Sequence, residues 1–547
     1  MKRTVAAAVL TLVVAAIAAV APAAAVAAAE VTLAGTLSVV WGDPTPDEGG
    51  GPRVLFFLAL PSGETVRLDP GPRAAAVEAS MAGRAGRPVT VSGAWAESLR
   101  GPGEAAVFAV SGFFGPEAPE GDAGAQLAGS QPFVSIMCKF ADVAAEPRDQ
   151  SYFQLLYEPL LDNFWREVSY DRINITGSAS FGWFTLPQPR SAYVYDRNGD
   201  GADEADLNLL AADCTAAADS SVWFPTYVGI NMMFNETLDC CAWGGGGGLT
   251  LDGVSRFWSL TWEPPWAYGH LSVIAHEMGH GFGLPHSSGM YGNVYDNVWD
   301  VMSADGLRLT HQCVPDPTWG CTPQHTNSDF KNRLDWIPSA RRLTVTGYPR
   351  VIRLEKSARP GPYGYLSARI PVSHGTWVAE SRLRGGYDWV LPRNGVIMHL
   401  VDASFGPGAY VYDATLNADT ADSGAAWTPG ETFSDPGDSL FVTVNNAYAS
   451  GYQVTIDNHA PSPDDLGGAV RLRSLAAVSG VRLSVATSGY AYTIVTDKAG
   501  RYRLFLLPAG LYTVRPSKAG YRFIPSSRTV AIGAGDRLSV SFTAVPL

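Results

Sequence analysis

From residue 275 the chain reads Ala-His-Glu-Met-Gly-His-Gly-Phe-Gly-Leu-Pro-His. His276 and His280 stand four residues apart, so on a helix both imidazoles leave one face and can close on a single metal ion. Leu271, Ile274 and Met278 then lie on the opposing face, where they can anchor that helix to a core. Glu277 sits beside the first imidazole; placed over a metal-bound water, it can take a proton and later pass it to a leaving amine. Gly283 permits the positive φ that ends a helix and swings the chain back, and Pro285 stiffens the return. This brings His286 in as third ligand. Three imidazoles leave one position of a tetrahedral zinc open, as catalytic sites do, whereas a structural zinc is closed by four protein ligands. Water on such an ion is acidified to a pKa of about 7, and the ion also polarises a carbonyl. The expected chemistry is peptide-bond hydrolysis, with His276, His280 and His286 holding Zn2+ and Glu277 as general base and then acid.

The complete HExxHxxGxxH string is far more restrictive than HExxH alone. It resembles the metzincin family of zinc endopeptidases, which adds a methionine turn downstream. Asp300-Val301-Met302-Ser303 supplies the candidate turn, and the resemblance implies that Met302 lies beneath the imidazoles as a hydrophobic floor. Phe164-Trp165-Arg166-Glu167-Val168-Ser169, Trp243-Gly244, Gly386-Tyr387-Asp388 and Leu391-Pro392-Arg393-Asn394-Gly395-Val396 look like secreted gametolysin-like and immune-inhibitor-A-like peptidases across roughly residues 132–457. The immune-inhibitor-A branch commonly has an acidic third ligand, so His286 favours the gametolysin-like or general metzincin side. The resemblance also implies an edge strand above the metal that pairs with an extended substrate. Gly246–Leu251 is the candidate, a loop being the other reading of the same glycines. No tyrosine follows Met302 by two residues, where astacin-like members carry one, so none is assigned to the oxyanion.

These residues must be positioned by a multidomain chain. Its 547 residues are too many for one small fold. Residues 30–117 show short alternating apolar runs broken by Gly and Pro, a small all-β pattern that resembles an OB-like barrel or an inhibitory prosegment. It has no cysteine for a thiolate-to-metal latency device. A Gly/Ala/Pro-rich linker follows at 118–131. Strands then alternate with helices over 132–340, the pattern of an α/β or α+β domain; the resemblance implies that it is an α+β metzincin-like zinc peptidase domain. Residues 341–458 return to short strands, a β-sandwich. After a linker at 459–467, residues 468–547 resemble a carboxypeptidase-regulatory-like β-sandwich, notably at Thr496–Tyr502 and Leu507–Val514. The expected fold is thus an α+β catalytic domain flanked by all-β domains.

Lys2 and Arg3, an apolar run to about Val20 and small residues at Ala27–Ala29 read as a secretory signal over 1–29. No second apolar span appears, so no stable membrane span is expected after its removal. Six cysteines fit an oxidising compartment and up to three disulfides. Cys313 and Cys321 make the easiest pair, and the neighbours Cys240 and Cys241 are expected to choose different partners. A net charge of −13 excludes nucleic acid held by phosphate neutralisation. From His459 onward, however, 11 Lys and Arg face 4 Asp, a basic surface suited to anionic polymers or cell surfaces, or simply solvated.

Asp196-Arg197-Asn198-Gly199-Asp200-Gly201 begins like a calcium loop, but its twelfth position is Leu207. Ca2+ and a solvated acidic turn both remain open there. Asn174-Ile175-Thr176 and Asn235-Glu236-Thr237 are glycosylation sequons. The sequence therefore predicts a secreted, monomeric zinc endopeptidase acting on polypeptides. Its rivals are a non-catalytic adhesion or binding protein on a peptidase fold, and a peptidase restricted to glycosylated proteins.

Overall fold

In a computed structural model, the described residues are 30–45, 51–71, 81, 84–96, 107–114, 127–197, 199–292, 295–303, 315–402, 404–415, 417, 419–459, 464–488, 490–533 and 535–547. The signal segment 1–29 and most of the linker at 118–131 lie outside them. The chain is mostly β and multidomain, with a small β-barrel near its N-terminus and a separate β domain at its C-terminus.

The barrel is built from β1 (Val31–Pro44), β2 (Arg53–Ala59), β3 (Thr65–Asp69), β4 (Pro88–Trp95) and β5 (Val107–Phe114). Pairing runs β1 to β2 to β3 to β5 to β4 and back to β1, so the sheet closes on itself. Leu37, Val39, Phe56, Leu58, Val66, Val91 and Phe108 fill its interior. The strand β3 was not anticipated, because Thr-Val-Arg-Leu-Asp alternates over too few residues to stand out.

The middle unit contributes β6 (Phe133–Lys139), β7 (Ala179–Thr185), β8 (Gly229–Phe234), β9 (Cys241–Leu251) and β10 (Val254–Glu263). Pairs β7–β6, β6–β8 and β8–β10 are parallel, whereas β9 joins β10 antiparallel. Parallel strands covered on both faces need continuous apolar runs. The fully buried Phe133–Cys138 and Gly229–Phe234 supply them. The helices of this unit include α1 (Asp162–Val168), α2 (Leu207–Ala218), α3 (Leu271–Gly281) and α4 (Ser328–Arg333). The barrel and this unit share one ten-stranded sheet, joined where Val40–Pro44 of β1 pairs antiparallel with Cys241–Gly245 of β9.

A Cys138–Cys214 disulfide ties β6 to α2 across 76 residues. Replacing both cysteines by serine is expected to cost about 2–4 kcal/mol of unfolding free energy, measured by urea titration. Cys240 and Cys241 bond to each other, not to different partners as expected. The bridge closes where the chain enters β9, with Asp239 Oδ1 accepting from the Cys241 N–H at 3.1 Å. Spacing could not reveal this, because adjacent cysteines pair only when the local backbone brings them together. Cys321 is disulfide-bonded; Cys313 lies outside the described residues.

Beyond residue 341, a six-stranded and a four-stranded sheet enclose a core that includes Leu354, Ile370, Trp377, Met398, Val444 and Ile456. The short strand Ser288–Gly289, just after His286, joins the six-stranded sheet beside Tyr410–Val411. This sandwich therefore holds the chain that leaves the third histidine. The C-terminal unit has two four-stranded sheets. Its first strand, Leu466–Leu472, starts inside the stretch read from sequence as a linker, and no helix occurs among its described residues.

Candidate metal centre

Every residue from Leu271 to His280 in α3 is buried. Leu271, Ile274, Ala275 and Met278 pack into the core that also contains Met302. The opposite face lies on β9, where only glycine fits: a Cβ on Gly244 would stand 2.8 Å from both Cα and Oε2 of Glu277. The helix ends in a Schellman turn, with the Gly283 N–H donating to His280 O at 2.8 Å and the Leu284 N–H to Gly279 O at 3.0 Å. Gly283 has φ 86°, the conformation expected of it.

That turn brings His286 to the two helical histidines. Their Nε2 atoms lie 3.1 Å apart for His276 and His280, and 3.1 Å apart for His280 and His286. The Nδ1–H of His276 donates to Val301 O at 2.6 Å, and that of His280 to Leu284 O at 2.7 Å. These bonds fix the tautomer and leave each Nε2 lone pair aimed inward, the usual support of a metal-binding imidazole. Burial pushes His280 down to about 3, so its ring is neutral and competent as a ligand at neutral pH. Met302 is fully buried against α3, where a Cβ on Gly279 would collide with its sulfur.

A fourth ligand group comes from elsewhere. Asp43, near the end of β1, is fully buried with Oδ2 3.3, 3.5 and 3.2 Å from the Nε2 atoms of His276, His280 and His286. In a tetrahedral zinc site with bonds of about 2.0–2.1 Å, ligand atoms are separated by about 3.3 Å. Five of the six separations here are 3.1–3.5 Å, and all four ligand atoms lie within 4.8 Å of one another. The donor set and its spacing fit zinc. Burial pushes the Asp43 carboxyl up, but the adjacent His286 and His276 outweigh it and hold the group well below the ordinary carboxylate range. Tyr295 donates its hydroxyl to Asp43 Oδ1 at 2.6 Å, and Trp41 stacks on His280 at 4.8 Å with 12° between rings.

The sequence pointed to His276, His280, His286 and Glu277; the fold brings the three imidazoles together, and Glu277 is buried on the helix that carries two of them. It missed Asp43 and Tyr295, and it expected an open fourth position that Asp43 takes here. Trp41-Gly42-Asp43-Pro44 carries no spacing rule of its own. Glu263, fully buried at the end of β10 and pushed up to about 8 by burial, with the Asp43 charge acting in the same sense, was also not anticipated.

Two of the other stretches that resembled secreted peptidases, those containing Glu167 and Tyr387, meet in space. Glu167 on α1 accepts from the Tyr387 N–H at 2.8 Å, from His325 Nε2 at 3.1 Å and from Arg359 Nε at 2.7 Å. Gly246–Leu251 lies in β9, paired throughout with β10, so it is strand and not loop. In the acidic turn, both Asp196 oxygens accept backbone N–H groups, at 2.7 Å from Gly199 and 3.0 Å from Gly201. Asp206 caps α2 at 3.0 Å from the Leu209 N–H and pairs with Arg197 at 3.0 Å.

Comparison with known proteins places one unit. Residues 465–545 match the carboxypeptidase regulatory-like domain. The match covers less than half of the chain and assigns no family to the rest. No curated protein matches the chain. Among solved structures, the Bacillus anthracis TIE protein is 9% identical over 37% of this chain and 33% of its own, with a TM-score of 0.15. This chain thus spans about a third of that protein. The group B streptococcus pilus 2b backbone protein is 14% identical over 38% of this chain and 83% of its own, TM-score 0.15. A C-terminal fragment of the pilus adhesin SpaC from Lactobacillus rhamnosus GG is 12% identical over 38% and 96%, TM-score 0.14.

Proposed function

We propose that the chain is a secreted zinc endopeptidase whose catalytic unit, residues 132–340, is an α+β domain of metzincin type. The observation that carries this reading is the convergence of three Nε2 atoms, two of them on tautomer-fixed rings, with Glu277 on the helical turn between His276 and His280. A closed structural site needs four ligands and nothing more. It gives no reason to bury a further carboxylate beside them, at the desolvation cost this carries. A hydrolytic site needs that carboxylate as its base.

Zinc held by His276, His280 and His286 supplies Lewis acidity toward the scissile carbonyl and lowers the pKa of water. Glu277 accepts a proton from the attacking water as the new C–O bond forms, then delivers it to the amine as the C–N bond breaks. Met302 and the α3 core hold the two helical imidazoles rigid, and the Ser288–Gly289 strand fixes the segment that follows His286. The antiparallel strand β9 offers main-chain groups to an extended peptide. The disulfides support an oxidising, extracellular setting.

Full-length protein, before and after limited trypsin digestion stopped with a serine-protease inhibitor, is the test. Peptide release from casein is expected, abolished by o-phenanthroline and restored by added zinc. Persistent inactivity of zinc-loaded protein on diverse polypeptides, glycosylated ones included, would instead mark a non-catalytic binding protein.

A further inference from the structure

We infer that the cavity between the N-terminal barrel and the β9–β10 hairpin is a binding site for an apolar monocarboxylate, a fatty acid in chemical class, with Arg256 holding the carboxylate. The inference stands apart from the endopeptidase reading, since none of its residues belongs to the metal centre.

The cavity measures about 1310 Å³, room enough for a long-chain molecule. It lies where two strands part: β1 pairs with β9 only as far as Gly245, and Gly246, Gly247 and Gly248 line the opening beyond. Val40 of β1, Phe57 and Ala59 of β2, Leu207 of α2 and Leu260 and Trp262 of β10 give it apolar walls. Glycine keeps it open. A Cβ on Gly247 would stand 3.1 Å from Leu260 Cδ1, and one on Gly248 3.3 Å from Ala59 Cβ.

Among the described residues that line the cavity, Arg256 alone carries a charge. Its guanidinium lies over the Trp258 ring, 3.8 Å from the centroid. Nε and Nη2, the edge of the fork that meets a carboxylate side-on, are screened from solvent and make no hydrogen bond. Buried donors without an acceptor carry a desolvation cost that a partner would offset. No carboxylate of the described residues lines the cavity, so the partner must come from outside. One guanidinium among apolar walls matches one negative charge on an apolar body, and it matches polyanions poorly. Pivoting of the fork over the Trp258 face presents it to the ligand. Arg256 stands opposite Leu249 on β9, five residues from Gly244, which packs against Glu277. At the ordinary rise of a strand this places the anchor about 17 Å from the base, so the ligand and the metal occupy different sites.

Full-length protein is titrated calorimetrically with laurate, with 1-dodecanol, which keeps the chain and lacks the charge, and with acetate, which keeps the charge and lacks the chain. Laurate is expected to bind at one site, at least about tenfold more tightly than either of the others, because a charge-assisted bidentate pair and apolar burial act together only there. Laurate binding no tighter than dodecanol overturns the proposal on wild type alone. Arg256→Gln is expected to lower laurate affinity to that of dodecanol and to leave dodecanol unchanged; equal laurate affinity in wild type and Arg256→Gln removes Arg256 as the anchor. Ala59→Phe puts a ring into the cavity without touching the guanidinium. It is expected to weaken laurate and dodecanol together by at least about tenfold, and unchanged binding of both overturns the location. Binding of a Leu-Leu-Phe tripeptide with a free C-terminus where laurate fails would mark a peptide-terminus site and overturn the fatty-acid occupant. Casein cleavage enters none of these outcomes, so the inference and the endopeptidase reading fail separately.

Discussion

Glu277→Gln, assayed after limited trypsin digestion, is expected to bind zinc at unchanged stoichiometry and to lose two to four orders of magnitude in kcat. General acid–base catalysis by a positioned side chain contributes about 10²- to 10⁴-fold. The substitution preserves size, and Glu277 supplies none of the three Nε2 atoms, so the metal site should survive. The carboxylate lies on the β9 side of α3, where a Cβ on Gly244 would stand 2.8 Å from its Oε2, so its position is fixed by packing. KM should change little, because the lost interaction belongs to proton transfer and not to peptide binding. The check is steady-state hydrolysis of a quenched peptide alongside zinc analysis. Near-normal kcat would remove Glu277 from the mechanism.

Arg382→Met is expected to destabilise the protein by about 3–5 kcal/mol, the usual loss when one partner of a buried ion pair is removed. Arg382 is fully buried, with Nη2 2.6 Å from Asp388 Oδ1, Nε 2.9 Å from Asp388 Oδ2 and Nη1 3.2 Å from Glu380 Oε1. It also donates to the carbonyl of Trp299, immediately before the Asp300–Met302 turn. Asp300 continues this anchor by accepting from the Met302 N–H at 2.9 Å and the Thr326 hydroxyl at 2.8 Å. The sandwich thus reaches the Asp300–Met302 turn beneath α3 through a buried guanidinium. Without it, Asp388 and Glu380 remain buried and poorly compensated, and the turn beneath α3 loses a support. A shift in urea midpoint with an unchanged slope would give the stability loss. Arg382→Met with Asp388→Asn should recover part of it, since fewer buried charges then lack a partner.

The parts of the site that the sequence revealed are those governed by local period. Four-residue spacing puts His276 and His280 on one side of a helix, and a glycine permits the reversal that carries His286 back. All of this happens within a dozen residues. Four of the five barrel strands were legible as alternating apolar runs, and the middle unit as strands alternating with helices. The glycines of β9 were ambiguous, because their reason lies in what approaches them: Glu277 from α3 at Gly244, and the main chain of β1 at Gly245. Cys240–Cys241 was misjudged for a related reason, since adjacent thiols bond or diverge according to the backbone between them.

By itself, the sequence picked out the three histidines, Glu277 beside the first of them, the turn that carries His286 back and the strand-rich, multidomain character of the chain. All of these follow from short-range periodicity and residue chemistry. Only the tertiary structure decided that Asp43 confronts the three imidazoles, that β1 runs along the strand beside them, and that a buried arginine in the sandwich braces the methionine turn. Those contacts join residues tens to hundreds of positions apart, where no periodicity links the partners and only the packing of separate units brings them within bonding distance.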